Sequence, residues 1–263
     1  MRTLTDLRSE IDAVDAELLR LIDRRAALGR DIGEAKARES GDTAKTSLLR
    51  PDREAMLLRK LLSRPRDAAS AEVIVRIWRE LISENLRIQG QAFGGLHLNL
   101  SAKDQSREVL VWARERFGFA PSYSYLDDPA AVIAATRDVK NLAVLSLDPR
   151  GGAWWARLLA EPEVRVIAAL PELSRGRPHA LAIAAFAPEP TGDDITFWVS
   201  DAAGNENAII EALSKRGLAA EWLCSAQGIK LFTLSGYVQE NDPRLGDAPL
   251  GSLSGVIGAA PRI

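Results

Sequence analysis

The sequence predicts a multidomain protein, with an all-α region over residues 1–91, an α/β region over residues 96–238 and an irregular tail over residues 239–263. Apolar residues in the first region recur every three or four positions, which is the spacing of a helix with one buried face. Short apolar runs alternate with helical patterns in the second region, which indicates a mostly parallel sheet covered by helices. A glycine-rich segment between the two regions marks their boundary.

The first helix is predicted from Leu4 to Lys36. Its apolar residues have a period near 3.5, which packs one helix against another. These seam residues are Leu4, Leu7, Ile11, Val14, Leu18, Leu21, Leu28, Ile32 and Ala35. Arg25 takes the remaining seam position, where a guanidinium that loses its hydration needs an anionic partner. The seam therefore predicts a partner helix, and Arg25 predicts either an internal salt bridge or a bound anion.

Two shorter helices complete the first region. Pro51 stands where a helix can begin, and a leucine-rich face follows it until Pro65. Asp67 is the expected N-cap of the third helix, whose apolar stripe turns polar at Asn85 and Gln89. Amides on a face that should be buried have either a structural hydrogen-bonding role or a ligand.

The second region divides into a parallel part and an antiparallel part. Strands alternate with helices as far as residue 170, and strands predominate after it. The predicted strands cover residues 96–100, 123–126, 142–147, 164–170, 180–186, 195–199, 219–223 and 229–235, and the predicted helices cover residues 104–117, 129–137, 152–159 and 206–216. The tail is rich in Pro, Gly, Asp and Ser, a composition typical of irregular structure.

Composition narrows the classes of function. A formal net charge of −2 argues against a nucleic-acid-binding protein. The N-terminus lacks the apolar core of a secretory signal, and no apolar run is long enough to cross a bilayer, so we expect a cytoplasmic protein without a membrane partner. Residues 1–90 contain no His, no Cys and no Gly-rich phosphate loop. Their chemistry must rely on cations and amides, with no metal or cofactor.

Short polar motifs recur along the three predicted helices at a specific joint spacing. They are Leu7-Arg8 with Ile11 and Asp15, Arg24-Arg25, Gly33 to Lys36, Pro51-Asp52-Arg53-Glu54, and Asn85 to Gln89. Over about residues 3–91 this pattern resembles the all-helical type of chorismate mutase. The resemblance implies an intertwined homodimer that exchanges long helices and converts chorismate to prephenate by a Claisen rearrangement, in phenylalanine and tyrosine biosynthesis.

The resemblance assigns substrate binding to four of these residues. Arg8 of one protomer would join Arg25 and Arg53 of the other to hold the two carboxylates of chorismate, and Asn85 would also contact the substrate. Helix geometry separately places Arg8 about 25 Å from Arg25 along the same helix, so Arg8 reaches this site only from the other chain.

Three further residues would act on the reacting bonds. Lys36 and Gln89 would donate to the ether oxygen, where negative charge grows as the C–O bond breaks. Glu54 would accept a hydrogen bond from the ring hydroxyl. Arg50 departs from the family, in which a carboxylate is common near this site. Because every one of these residues lies within residues 1–91, that fragment alone is expected to dimerise and to be active.

The second region resembles proteins that are often fused to such mutases. Residues 125–132 and 142–147 look like part of a prephenate dehydratase lobe, and residues 217–223 with 228–234 look like the end of an amino-acid-sensing ACT unit. The catalytic Thr-Arg-Phe of the dehydratase is absent, since Thr136-Arg137 is followed by Asp138. We therefore expect a regulatory or structural region, for which an aromatic amino acid is the effector that the resemblance suggests.

Two other functions fit the helical region. An isochorismate-pyruvate lyase resembles this fold and shares its cationic site, but it releases pyruvate. A non-catalytic dimeric sensor of an aromatic amino acid would use the helices only to dimerise. The mutase is the preferred interpretation, because a sensor has no need for an unpaired Arg25 in its seam.

Overall fold

A region of three helices precedes a mixed α/β region that is built on one nine-stranded sheet. The prediction of a multidomain protein with a helical region followed by an α/β region is confirmed. The computed structural model describes residues 2–39, 49–90, 95–104, 108–174, 176–246 and 250–263.

The helical region consists of α1 (Leu4–Glu39), α2 (Pro51–Leu62) and α3 (Ala71–Gly90). A reciprocal capping box starts α1, because the N–H of Asp6 donates to Thr3 Oγ1 and the N–H of Thr3 donates to Asp6 Oδ2. Ser70, and not the expected Asp67, caps α3, since its Oγ accepts from the N–H of Val73. Within the residues that the structure describes, no helix is both long and apolar enough to span a bilayer.

Most of α1 projects away from the rest of the chain. Every residue from 2 to 24 is exposed, and this stretch of helix is about 30 Å long at 1.5 Å per residue. The apolar seam residues in this stretch are exposed as well, and their relative solvent exposure ranges from 40 % at Leu7 to 63 % at Leu4. Only the part of α1 that follows residue 24 packs on α3.

The sheet has the strand order β2-β1-β3-β5-β4-β9-β6-β8-β7. Its strands are β1 (His97–Ser101), β2 (Ser122–Leu126), β3 (Asn141–Ser146), β4 (Arg165–Leu170), β5 (Ala180–Ala184), β6 (Asp194–Ser200), β7 (Ala220–Ala226), β8 (Ile229–Ser235) and β9 (Ser254–Pro261). The helices of this region are α4 (Glu108–Phe117), α5 (Pro129–Ala135), α6 (Glu206–Lys215) and α7 (Pro243–Gly246). Strands β2, β1 and β3 pair in parallel, whereas β6, β8 and β7 pair antiparallel, as predicted. The prediction of a mostly parallel sheet is wrong, because β5 lies between β3 and β4 and pairs antiparallel with both.

The helix predicted at residues 152–159 is the 3₁₀ segment Trp154–Ala160, and a shorter 3₁₀ segment, Pro149–Gly151, precedes it. A 3₁₀ helix aligns side chains three residues apart. Trp155 and Leu158 have this spacing, and both are fully buried in the core below the sheet. These two buried side chains fix the 3₁₀ segment against the core.

The tail differs from its prediction as irregular structure, because residues 254–261 form the central strand β9. It pairs antiparallel with β6 and meets β4 in parallel at Gly258 and Val166. Gly258 has φ +136°, and a Cβ built there would lie 2.4 Å from the backbone N and O of Val166. Glycines that permit this close approach interrupt the apolar alternation by which a strand is recognised in sequence.

Three apolar cores pack against the sheet, and α6 covers the third of them. The first two lie on opposite faces, because alternate residues of β3 point into each, with Ala143 and Leu145 in the first core and Leu142 and Val144 in the second. The first core is covered by α5 and the 3₁₀ segments, and the second is covered by α4. Leu49, which precedes α2, is buried in the second core, so the helical region is anchored to the α/β region.

Candidate active site

Two glycines bring α1 and α3 close together. Gly29 and Gly33 lie one turn apart on α1, where a Cβ at Gly29 would be 2.9 Å from Asn85 Oδ1 and a Cβ at Gly33 would be 3.3 Å from Gln89 Cγ. Both pairs advance by four residues, so the two helices run parallel in register. The close contact places the amides of Asn85 and Gln89, which the sequence singled out, directly against α1.

Arg25 lies one turn before Gly29 on the same face of α1. Its guanidinium is half-buried and donates to the backbone oxygen of Leu81 at 2.6 Å. Burial lowers the pKa of Arg25, and no carboxylate forms an ion pair with it in the part of the chain that the structure describes. A guanidinium has five N–H donors, so this side chain keeps the capacity to bind an anion beside Asn85.

The other two predicted site residues of α1, Arg8 and Lys36, lie far apart along the helix. Arg8 is exposed on the projecting part of the helix, about 25 Å from Arg25 along the axis. Lys36 lies in α1 three residues after Gly33, but its side chain is outside the described residues. Among the described side chains of one chain, Arg25, Asn85 and Gln89 therefore lie along the same contact between α1 and α3, at successive turns of the helices.

Glu54 of α2 takes part in a buried ion cluster, whose other members are Arg79 of α3, Arg116 of α4 and Glu172 after β4. Oε2 of Glu54 accepts from Arg79 at 2.6 Å and from Arg116 at 2.7 Å. Glu172 accepts from Nε of Arg79 at 2.8 Å. The side chains of the two arginines are 2 % and 1 % exposed. Burial opposes the charge of Arg116, but the carboxylates of Glu54 and Glu172 outweigh it and raise the pKa of Arg116.

Arg53, beside Glu54, is exposed. Arg50 pairs with Asp52 at 2.9 Å and approaches Glu189 at 3.5 Å. Arg50, the residue that departs from the family pattern, is thus held at the start of α2 by acidic side chains.

Residues 7–90 match the family model for chorismate mutase type II. The match covers α1 to α3, and it includes every predicted site residue from Arg8 to Gln89. The resemblance on which the site prediction rests is confirmed for this part of the chain.

Three curated relatives are bifunctional chorismate mutase/prephenate dehydratases. The protein of Aquifex aeolicus is 36 % identical over 93 residues, which are 34 % of this chain and 24 % of the relative. That of Pseudomonas aeruginosa is 31 % identical over 86 residues, or 33 % and 24 % of the two chains. That of Neisseria gonorrhoeae is 34 % identical over 82 residues, or 31 % and 21 %. The matched part is thus about a quarter of each relative's length. No solved structure matches the chain significantly.

Within this mutase-type region, Glu54 bonds to Arg79. Arg79 precedes Asn85 by six residues and Gln89 by ten on α3, about 9 and 15 Å along the helix axis. Sequence reasoning missed the ion cluster because half of it comes from the α/β region. One signal was present, since Val75, Arg79 and Ser83 form a line of buried positions spaced by four residues. The role of Glu54 in the mutase-type site stays a prediction.

The two histidines and the single cysteine, all outside the mutase-type region, have structural surroundings. The ring nitrogens of His97 bond to the hydroxyls of Ser122 and Ser124, and His179 stacks on Trp112. Burial raises the pKa of the Cys224 thiol to about 12, so this thiol is a poor nucleophile at neutral pH.

Proposed function

We propose that the protein is a chorismate mutase, which rearranges chorismate to prephenate in the biosynthesis of phenylalanine and tyrosine. The observation that carries the proposal is Arg25, a half-buried guanidinium on the face of α1 that meets Asn85 and Gln89 one and two turns further along. Within the described part of the chain it bonds to the neutral backbone oxygen of Leu81 and to no carboxylate. A ligand with carboxylates satisfies such a group, and the segment that contains it matches the chorismate mutase family model.

Binding in one conformation is the first part of the proposed mechanism. Arg25, Arg53 and Arg8 of the partner subunit hold the two carboxylates of chorismate, and Asn85 adds an amide contact. Guanidinium groups pair with carboxylates bidentately, which fixes the orientation of the substrate as well as its charge. A substrate held in its reactive conformation loses much of the entropic part of its barrier.

Stabilisation of developing charge is the second part. The C–O bond of the enol ether breaks while a C–C bond forms, and no proton transfer or covalent intermediate is needed. Lys36 and Gln89 donate to the ether oxygen as it becomes negative, and Glu54 accepts from the ring hydroxyl. An acceleration of about a millionfold corresponds to a decrease in the activation free energy of roughly 8 kcal/mol. Holding the substrate in one conformation and donating two hydrogen bonds to its ether oxygen can supply this decrease.

We propose that a second copy of the chain covers the exposed seam of α1. A row of apolar side chains about 30 Å long favours association with a complementary helix. Two antiparallel copies that bring Arg8 opposite the site near residue 30 have their twofold axis near residue 19. Leu18 and Leu21 would then meet their symmetry mates, and each of the two sites would contain one Arg8 from across the axis.

Complementation tests this exchange of helices. Arg8→Ala and Arg25→Ala chains, each nearly inactive, are unfolded together and refolded. In a mixed dimer one site lacks both arginines and the other has both, so activity should recover to at most about half of that of the wild-type dimer. Purified heterodimers that recover no activity would rule out Arg8 acting from the partner chain, whereas each variant refolded alone provides the baseline.

The products of the pure protein distinguish the three candidate functions. A mutase consumes chorismate and forms prephenate, and a lyase releases pyruvate from isochorismate. A sensor binds an aromatic amino acid and converts neither substrate. We expect prephenate, from a cytoplasmic homodimer whose α/β region is regulatory or structural. Stable dimers that leave chorismate unchanged would refute the proposed activity.

A further inference from the structure

A cavity of about 520 Å³ opens at the carboxyl ends of the parallel strands β1 and β3. The chain leaves β1 through α4, which covers the second core, and leaves β3 through the 3₁₀ segments, which cover the first core. The two connections therefore diverge to opposite faces of the sheet. Such a switch point leaves a crevice outside the strand ends, where ligands of open α/β sheets bind.

Asp104 stands at the inner wall of this cavity. It follows β1, is half-buried, and accepts a hydrogen bond at 2.8 Å from the N–H of Ser146 at the end of β3. No cation forms an ion pair with this carboxylate among the residues that the structure describes. Burial, with a smaller contribution from the charge of Asp148, raises the pKa of Asp104. A cationic group of a ligand would supply the ion pair that Asp104 lacks.

Two cations stand at the mouth of the cavity. Lys103 lies 3.7 Å from Asp128, the N-cap of α5, and Arg150 pairs with Asp148. Both cations are exposed, at 68 % and 86 % of their side chains, so they can turn towards a ligand without loss of packing. Asp128 and Asp148 are thus already paired with cations, and Asp128 also lies near Arg157, whereas Asp104 has no ion pair among the described residues and its charge is uncompensated.

The walls of the cavity between these charges are partly apolar. Pro129, Leu145 and Trp154 contribute to them, and Trp154 is fixed because its Nε1 donates to the backbone oxygen of Ser146 at 2.7 Å. The volume lies within the range of small-molecule sites. A metal ion is disfavoured, since no group of three or more His, Cys, Asp or Glu side chains in the described residues could hold one.

We propose that this cavity binds an α-amino acid, whose ammonium pairs with Asp104, whose carboxylate pairs with both Lys103 and Arg150, and whose side chain contacts Trp154. A simple anion would face the uncompensated carboxylate, and a simple cation would leave the cations at the mouth unused. A zwitterion satisfies both ends of the cavity. The proposal does not depend on mutase activity, because none of the proposed mutase residues lies here.

Calorimetric titration of the full-length protein with each standard L-amino acid tests the proposal. At least one should bind with a stoichiometry of one per chain. The corresponding amine without a carboxylate, and the acid without an ammonium group, should each bind about tenfold more weakly or worse. Asp104→Asn and Arg150→Gln should weaken binding of the amino acid to a similar extent. The matched control is Asp127→Asn, an exposed carboxylate at the end of β2 that should leave binding unchanged.

Three results would overturn the proposal. They are the absence of binding by any amino acid, binding that neither Asp104→Asn nor Arg150→Gln weakens, and binding of inorganic phosphate as tight as that of the best amino acid. If Asp104→Asn fails to fold, Arg150→Gln still tests the proposal, because the highly exposed Arg150 contributes little to packing.

Discussion

Replacing Arg25 with Ala is expected to lower kcat/KM for chorismate by at least about a hundredfold. A charge-assisted hydrogen bond to a carboxylate contributes about 1.5–3 kcal/mol, and a bidentate guanidinium makes two of them. A loss of about 3 kcal/mol corresponds to more than a hundredfold in rate. Stability should change little, since the residue is half-buried and its protein bond is to the backbone oxygen of Leu81.

Two further variants separate the role of Arg25 from a general effect of charge on α1. Arg24→Ala removes the neighbouring guanidinium, which is exposed, and should leave kcat/KM within about twofold of the wild type. Arg25→Lys keeps the charge but loses the planar fork, so it should recover only part of the activity. A folded Arg25→Ala protein with near-normal kcat/KM would remove the main support for the proposed function.

Replacing Arg116 with Met should lower the free energy of unfolding by about 3–5 kcal/mol, because it breaks a buried ion cluster by removing one partner. Glu54 and Glu172 would then share Arg79 alone, in an interior where neither carboxylate can recover its hydration. Urea-induced unfolding followed by tryptophan fluorescence measures the change.

The matched control for Arg116 is Arg76→Met. The ion pair of Arg76 and Glu115 also joins α3 to α4, but its side chains are 67 % and 41 % exposed. Its loss should therefore lower the free energy of unfolding by at most about 1 kcal/mol. Equal effects of the two substitutions would contradict the importance assigned to the buried cluster. For the same reason, a chain that ends at residue 91 would keep the pair of Glu54 and Arg79 but lose Arg116, Glu172 and most of the core that buries Leu49. We expect its helices to be less stable than those of the full protein.

Local patterns were enough to predict most elements of the fold. The seam of α1 and the buried strands have strong periodicity, so the predicted helices and strands agree with the observed ones to within a few residues at most ends. The pair of amides in α3 could also be recognised, because Asn85 and Gln89 interrupt an apolar stripe at a spacing of one turn.

The features that were missed depend on contacts between distant parts of the chain. The partners of Glu54 include Arg116, which is 62 residues away in sequence and belongs to the other region. Likewise, β9 is recognisable only from its neighbours, because Gly258 is required by the backbone of Val166 and not by any local turn. The cavity beside Asp104 depends on which faces of the sheet the connections cross, and sequence periodicity does not reveal that choice.

The position of β9 also sets an order of events during synthesis. The strand lies between β4 and β6, yet it leaves the ribosome after all eight of the other strands. Until then β4 and β6 are both unpaired edges of two separate sheets, and exposed edges of this kind invite pairing with other chains. During synthesis the protein therefore has two half-sheets whose exposed edges can pair with those of other nascent chains. Once β9 is complete, it pairs with both edges and joins the half-sheets into one continuous sheet.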